Sequence, residues 1–318
     1  MNHDITMQYF RDNNNFGIEP ENIKFFPQGV LPCLTLPSGK IILQSPYQCA
    51  MAPDGNGGIY PAMSKSGVIA DMQQRGIEFI HAFSVDNALV KPADPGFIGY
   101  CIRMEADCGN KSLWKTDPHE KVGVVAEKGG KPCVVEYSEL SKEMAERRMV
   151  TGAGENSSQA PLAFGAANIC NHFYTLQFLQ EQVLPNLGNM YHIARKKIPS
   201  WDNDLKQTVT PTSNNGIKLE SFIFDVFPLS KTMAVYQVER MYEFAPVKNA
   251  PGSPSDSPDT ARTMISELAK VWLAKAGAIV KVGNAGDICE ISPLTSYAGE
   301  GLNQYKDVEI NFPFVTNL

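Results

Sequence analysis

Residues 51–60 read Met-Ala-Pro-Asp-Gly-Asn-Gly-Gly-Ile-Tyr, and this run constrains the chain more than any other. Three glycines, an Asn and an Asp in so short a stretch mark a tight loop. The pattern behind it predicts a helix from about Tyr60 to Gln74, with Val68 and Met72 four residues apart. Residues 77–87 then read as a strand, apolar at most positions as a strand covered on both faces is. Strand, loop, helix, strand is the rhythm of an α/β fold with a mainly parallel sheet, where ligands bind beyond the carboxyl ends of the strands. A glycine-rich loop feeding a helix offers backbone N–H groups and the positive end of the helix dipole to an anionic or amide-bearing ligand. The same residues also suit a plain tight turn.

The 318 residues are enough for one large domain or two smaller ones. With 43% hydrophobic and 19% charged residues the composition is that of a globular protein. A net charge of -6 argues against a nucleic-acid groove, which rewards a basic face. It leaves room for a small phosphorylated substrate, which needs only a few local cations. The seven cysteines form no C-x-x-C pair, and their number is odd. Together with an N-terminus that is neither a signal nor a transit peptide, this predicts a reducing, cytoplasmic setting. The five histidines do not combine with the cysteines at zinc-ligand spacings. No run of about 18 apolar residues is present, so no membrane span is expected.

Along the chain, the pattern predicts a helix over about 6–13, a short strand at 23–26 and a hairpin over 32–42. A second hairpin is expected from the strands 122–125 and 133–137 around Lys128-Gly129-Gly130-Lys131. A charged helix over 138–148 and a Gly/Ser-rich loop over 150–161 follow. A helical run spans Phe178 to about Val183, a strand 234–238, and a linker 251–258. Thr260 is placed to cap a helix that Gly277 stops. If residues 216–227 are extended, Phe222 and Phe224 share a side; if they are helical, Ser221, Phe222 and Asp225 share a face.

Several residues are candidates for chemistry. Asp86 ends a strand, where it faces a ligand or metal-bound phosphate, or else caps the next turn. Glu136 and Tyr137 follow a strand, where they bind sugar hydroxyls or are solvated tips. Asn168 lies in an apolar run, so it belongs to a hydrogen-bond network or touches a ligand. His172, in the same run, reads as a structural histidine. Lys218 and Lys248 are surface lysines or phosphate contacts.

The order of motifs is distinctive: FFPQG, MAPDGNGG, VDN, VEYSEL, NGIKLESFIFDVF and EFAPVKNA. From about Tyr9 to Gly301 the chain resembles eukaryotic UDP-N-acetylglucosamine pyrophosphorylase. The resemblance implies a Rossmann-like nucleotidyltransferase fold of the glycosyltransferase-A type, with a mainly parallel mixed sheet. It implies a catalytic domain over 1–250 and a small α+β domain over 251–318. It also implies the joining of UTP and N-acetylglucosamine 1-phosphate, with Mg²⁺, to give UDP-N-acetylglucosamine and pyrophosphate.

Carried over by motif, Gln28 and Gly55 look like uridine contacts and Asn56 a sugar-side contact. Asp86 looks like a nucleotide or metal contact. Gly123, Glu136, Tyr137 and Asn168 resemble the acetamido-sugar pocket. Lys218 and Lys248 resemble phosphate-binding and catalytic lysines, and Phe222 and Phe224 the wall beside the N-acetyl group. The family's glycine-rich L-x-x-G-x-G-T-R-x-G signature belongs upstream of Gln28 and is absent here. A truncated chain is therefore expected, lacking the triphosphate loop and the first strands of the sheet. The loop between Tyr137 and Asn168 is longer than in the family. The alternatives are a non-catalytic UDP-sugar-binding fragment and a pyrophosphorylase for a non-acetylated hexose 1-phosphate.

Overall fold

A hairpin and a capped helix illustrate how directly parts of the fold follow from local chemistry. In a computed structural model of the chain, which describes residues 2–149, 160–281 and 287–316, the strands Val124–Lys128 and Lys131–Val135 flank Gly129 and Gly130, both at positive φ. That is the turn conformation the Gly-Gly pair permits. The helix Pro258–Lys275 starts one turn earlier than expected. Ser257 is its cap, and Thr260 returns the bond in a capping box, so the residue expected as the cap serves as its partner. Gly277, at φ +90°, follows its end.

The chain folds as two units that interleave in sequence. The first comprises Met1–Ile80, Glu127–Val134 and Tyr174–Met233. The second comprises His81–Ala126, Val135–Phe173 and Ala234–Leu318. This division differs from the one at residue 250 expected from sequence: the helix Pro258–Lys275 falls in the same unit as residues 81–126.

In the first unit, strand Val30–Pro32 pairs antiparallel with Met51–Pro53, which carries the chain straight into the glycine loop. Strand Gly216–Glu220 pairs antiparallel with His192–Lys196 on one side and with Leu34–Thr35 on the other. A core of Cys33, Ile42, Ala50, Ala52 and Ile198 lies beneath.

Two expectations fail in this unit. Residues 23–26 form no strand; Phe25 instead packs edge-on against Phe10 of the helix His3–Asp12, at 5.1 Å between ring centroids. The single helix expected over 60–74 is two, Ile59–Lys65 and Val68–Gln74. Gly67 between them is left-handed (φ +79°), which breaks the helical ladder.

The second unit holds most of the sheet, with order Met233–Val238, Cys108–Trp114, Ala166–Thr175, Val124–Lys128; strand Phe79–Phe83 also pairs with Ala166–Thr175. Ala167 and Val124 pair antiparallel. Parallel pairs join Ile279–Val280 to Glu309–Ile310 and Cys289–Glu290 to Phe314–Val315. The fold is mixed α/β. The strand expected over 77–87 is shorter, Phe79–Phe83, and its two phenylalanines are partly exposed rather than covered on both faces. The apolar piece after Asp94 is a helix, Pro95–Arg103, capped by the Asp94 side chain on the Gly96 N–H. The charged helix shrinks to Lys142–Glu146, because Arg147 turns extended and its carbonyl accepts from Ala163 N. The loop expected over 150–161 lies mostly outside the described residues. No helix among the described residues is long and apolar enough to cross a membrane.

A buried cation organises this unit. Lys111 is fully buried, with Nζ 2.5 Å from Asp94 Oδ2 and 2.8 Å from Glu243 Oε2, and it lies 5.5 Å from the Phe97 ring centroid. Lys91 joins at 3.1 Å from Glu243 Oε1. Burial alone would raise the Asp94 carboxyl, but its bond to Lys111 and the Lys111 charge outweigh burial and hold it below the usual range. Because the folded value is the lower one, Asp94 stabilises the fold above the unfolded carboxyl pKa and loses that contribution as pH falls through the folded one. Asp94→Asn is therefore expected to cost about 3 kcal/mol at pH 7, leaving Lys111 half-compensated. In urea unfolding as a function of pH, the gap from wild type should narrow below about pH 4. A gap that does not change with pH would mean that the ion pair is not its source.

Candidate functional site

The glycine loop is built by close approach of backbone to backbone. The ladder between Met51–Pro53 and Val30–Pro32 brings Gln28 beside Gly55, and Gln28 Nε2 donates to the Gly55 carbonyl at 2.6 Å. Gly55 has φ +89°. A Cβ there would sit 2.1 Å from Ser221 O, and one on Gly57 2.8 Å from the Phe222 backbone. The Ser221 segment thus lies directly against the loop. It is bonded to it by Ser221 N to Asp54 O (2.7 Å) and Gly57 N to Ser221 O (2.9 Å).

This geometry corrects the cradle expected from sequence. Gly57 N donates to Ser221, Gly58 N to Gly55 O, and Ile59 N to the carbonyls of Asn56 and Gly57. Those N–H groups are spent within the fold rather than offered to an anion. Asn56 Oδ1 accepts from Ile223 N at 2.9 Å, which orients the amide.

Phe222 and Phe224 stack at 5.1 Å, with 27° between their planes. His192 packs on Phe222 at 4.5 Å and meets Asp225 Oδ1 at 2.8 Å, while Asp225 Oδ2 accepts from Phe222 N at 2.7 Å. A cavity of about 210 Å³ opens here, lined among others by Asp54, Tyr191, Ser221, Phe222 and Asp225. Lys218 stands mid-strand opposite Ala194 and acts electrostatically on Cys33. The structure therefore brings Gln28, Gly55, Asn56, Phe222 and Phe224 together in the first unit, with Lys218 on the strand that leads into Ser221.

In the second unit, Asp86 sits just beyond the strand Phe79–Phe83, where Ser84 Oγ donates to its Oδ1 at 2.6 Å. Val247 N donates to Asp86 O at 2.9 Å, so Asp86 and Lys248 lie on adjoining, hydrogen-bonded segments. Asn168 N donates to Gly123 O at 2.8 Å, and Asn168 Oδ1 accepts from Cys170 N at 3.0 Å. Cys170, at φ +52°, returns its carbonyl to Ser84 N. Burial pushes the Cys170 thiol up to about 11; Asp86 raises it further and Lys248 opposes. Glu136 and Tyr137 lie on the turn after the hairpin, with Tyr137 well exposed. His172 is fully buried, and burial, then His81, pushes it down to about 3, so it stays neutral.

Sequence reasoning passed over Ser221 as a backbone partner, the His192–Asp225 pair, Lys111 and Asn87. The first had a signal: two glycines that something must approach. Lys111 had none, because its strand, Cys108–Trp114, was not expected from the sequence. His192 and Asp225 are 33 residues apart and had none.

A family model described as UTP–glucose-1-phosphate uridylyltransferase matches residues 2–282. The chain belongs to that family. A Xenopus tropicalis protein named UDP-N-acetylhexosamine pyrophosphorylase-like protein 1 is 44% identical over 98% of this chain and 62% of its own length. The Saccharomyces cerevisiae UDP-N-acetylglucosamine pyrophosphorylase is 43% identical over 95% of this chain and 61% of its own length. The crystal structure of an Entamoeba histolytica protein, provisionally named UDP-N-acetylglucosamine pyrophosphorylase, superposes with a TM-score of 0.86 at 33% identity. It covers 99% of this chain and 75% of its own. The chain thus spans about three fifths of the length of the curated relatives it matches.

Two outcomes follow from this geometry. Gly55→Ala should lose about 3 kcal/mol in urea unfolding, because a methyl group collides with Ser221 backbone as well as straining φ. Gly67→Ala, also at positive φ but with open space around it, should lose only about 1–2 kcal/mol. Equal losses would mean that strain, not the Ser221 crossing, requires Gly55. Separately, iodoacetamide should label Cys170 slowly at pH 8, where about a thousandth is thiolate, and faster as pH rises toward 10, read by mass spectrometry.

Proposed function

We propose that the chain carries the sugar-nucleotide site of a uridylyltransferase. It joins UTP and N-acetylglucosamine 1-phosphate to give UDP-N-acetylglucosamine and pyrophosphate. The observation that carries this reading is the placement of Asp86 and Lys248 on adjoining, hydrogen-bonded backbone segments, each acting electrostatically on Cys170. It is supported by relatives named for the same reaction over nearly the whole chain. The sugar-phosphate oxygen attacks the α-phosphorus of UTP and pyrophosphate leaves. Such a displacement asks the protein for positioning and for neutralisation of phosphate charge, not for a covalent intermediate.

In this reading the side chains take separate tasks. Lys248 offsets phosphate charge in the second unit, and Lys218 is the candidate cation of the first. Asn56 Nδ2 donates to the sugar side, Gln28 and Gly55 shape the uridine side, and the stacked Phe222 and Phe224 form an apolar wall for the N-acetyl methyl group. Within the second unit, the same reading gives Gly123, Asn168, Glu136 and Tyr137 sugar-binding roles.

Mg²⁺ fits one carboxylate here. Asp86 is partly exposed at the strand end, and the described residues contain no cluster of three or more His, Cys, Asp or Glu. Magnesium commonly binds through one or two carboxylates plus substrate phosphates, so Asp86 would hold it together with the nucleotide. The ion would supply charge neutralisation at the phosphates. Asp86 itself is oriented by the Ser84 hydroxyl.

The family model's description names glucose 1-phosphate, which keeps the non-acetylated sugar as the second reading. Competition between the two sugar phosphates decides between them.

Pyrophosphate release that needs both UTP and N-acetylglucosamine 1-phosphate is the direct measurement. Lys248→Ala should lower kcat by about 100-fold or more, and Phe222→Ala should mainly raise KM for the sugar phosphate. Calorimetric binding of UDP-N-acetylglucosamine without turnover would point to the non-catalytic reading. Neither binding nor release would remove both.

A further inference from the structure

Asn87 follows Asp86 directly, yet its side chain points the other way, into the fold, and the residue is 4% exposed. Its amide makes three bonds, all to backbone. Nδ2 donates to Glu243 O at 2.7 Å. Oδ1 accepts from Ala245 N at 2.9 Å and from Leu89 N at 3.2 Å. The bond to Leu89 turns the chain immediately after Asp86. The other two clasp the segment that runs on to Lys248. Around this clasp the backbones are already joined, by Ala88 N to Ala245 O at 3.0 Å and Val247 N to Asp86 O at 2.9 Å. Glu243, whose carbonyl Asn87 holds, is anchored by its own carboxylate to buried Lys111 and to Lys91. The clasp is thus set against a buried ion-paired residue of the unit.

Only a side-chain amide both donates to one carbonyl and accepts from two N–H groups at this reach. A carboxylate cannot donate to Glu243 O, and a hydroxyl is too short to span both segments. We propose that Asn87 is a positioning residue: its amide sets the spacing of Asp86 from Lys248 for nucleotidyl transfer. The inference rests on the roles given to Asp86 and Lys248 above.

The test compares Asn87→Ala and Asn87→Asp with Leu273→Ala. Leu273 is a buried residue in a separate cluster with Ala269, Cys289 and Ile310, so its truncation destabilises the same unit without touching the clasp. Each protein is assayed for pyrophosphate release well below its own melting temperature. Displacement of the pair by a fraction of an ångström should lower kcat about 10- to 100-fold in both Asn87 variants. It should also raise the Mg²⁺ needed for half-maximal rate several-fold, with KM for N-acetylglucosamine 1-phosphate within about twofold. Leu273→Ala should lower the melting temperature and move neither kcat nor the Mg²⁺ requirement. Asn87 variants that keep both parameters, or a Leu273 variant that loses as much, overturn the proposal.

Amide hydrogen exchange supplies an arm that does not depend on turnover. Ala88, Ala245 and Val247 should exchange at least about tenfold faster in Asn87→Ala, with the change confined to the two clasped segments. Unchanged protection overturns the clasp even if activity falls. If the wild-type chain releases no pyrophosphate, the proposed reaction fails, and faster exchange at these amides still supports the clasp.

Discussion

The passage of the Ser221–Phe222 backbone against Gly55 and Gly57 is the contact on which the rest of the first unit's site depends. No side chain fits between the two segments at a separation of 2–3 Å from a would-be Cβ, so the glycines are there for access, not for flexibility. The contact also takes up N–H groups of the loop. A loop whose N–H groups point outward takes an anion; here those of Gly57, Gly58 and Ile59 are bonded internally. The Asn56 and Gln28 amides are tied into the same contact, to Ile223 N and to Gly55 O.

The second unit is organised by charge instead. Lys111 is buried between Asp94 and Glu243, an arrangement costly to assemble and more costly to leave half-made. Its effect reaches the candidate site through covalent and hydrogen-bonded neighbours. Asp94 caps the helix Pro95–Arg103, and Glu243 holds its backbone where Asn87 clasps it. One buried ammonium therefore fixes both a helix start and the crossing next to Asp86 and Lys248. A neutral core at this place would pack as well, but it would not set the position of Glu243 by direction as well as by contact.

How much of this was legible in the sequence depends on the range of the interaction. The Gly129–Gly130 hairpin and the helix ending at Gly277 were readable because their determinants lie within a few residues. The break at Gly67 was not, since the apolar spacing of Val68 and Met72 lies wholly within the second helix and says nothing of how residues 60–66 join it. Residues 23–26 look strand-like in isolation, and a ring contact from Phe25 to Phe10 decides otherwise. Motif resemblance singled out Gln28, Gly55 and Asn56 in the first unit and Asp86 and Lys248 in the second. The bonds that orient them span 27 residues for Gln28 to Gly55 and 167 for Asn56 to Ile223. No pattern of period or composition carries that information.

Asn87 shows why residues of this kind escape notice. It sits in the same three-residue motif as Asp86, and a reading that asks what each side chain offers a ligand passes over one that faces inward. Its chemistry is nonetheless specific: two acceptor bonds and one donor bond on a 4% exposed amide, each to a different backbone group. An aspartate in its place would preserve shape while setting an oxygen against the Glu243 carbonyl. The motif thus encodes a charge and the device that aims it, one residue apart. In the proposed reaction, where little covalent chemistry is asked of the protein, aim is most of what such a site supplies.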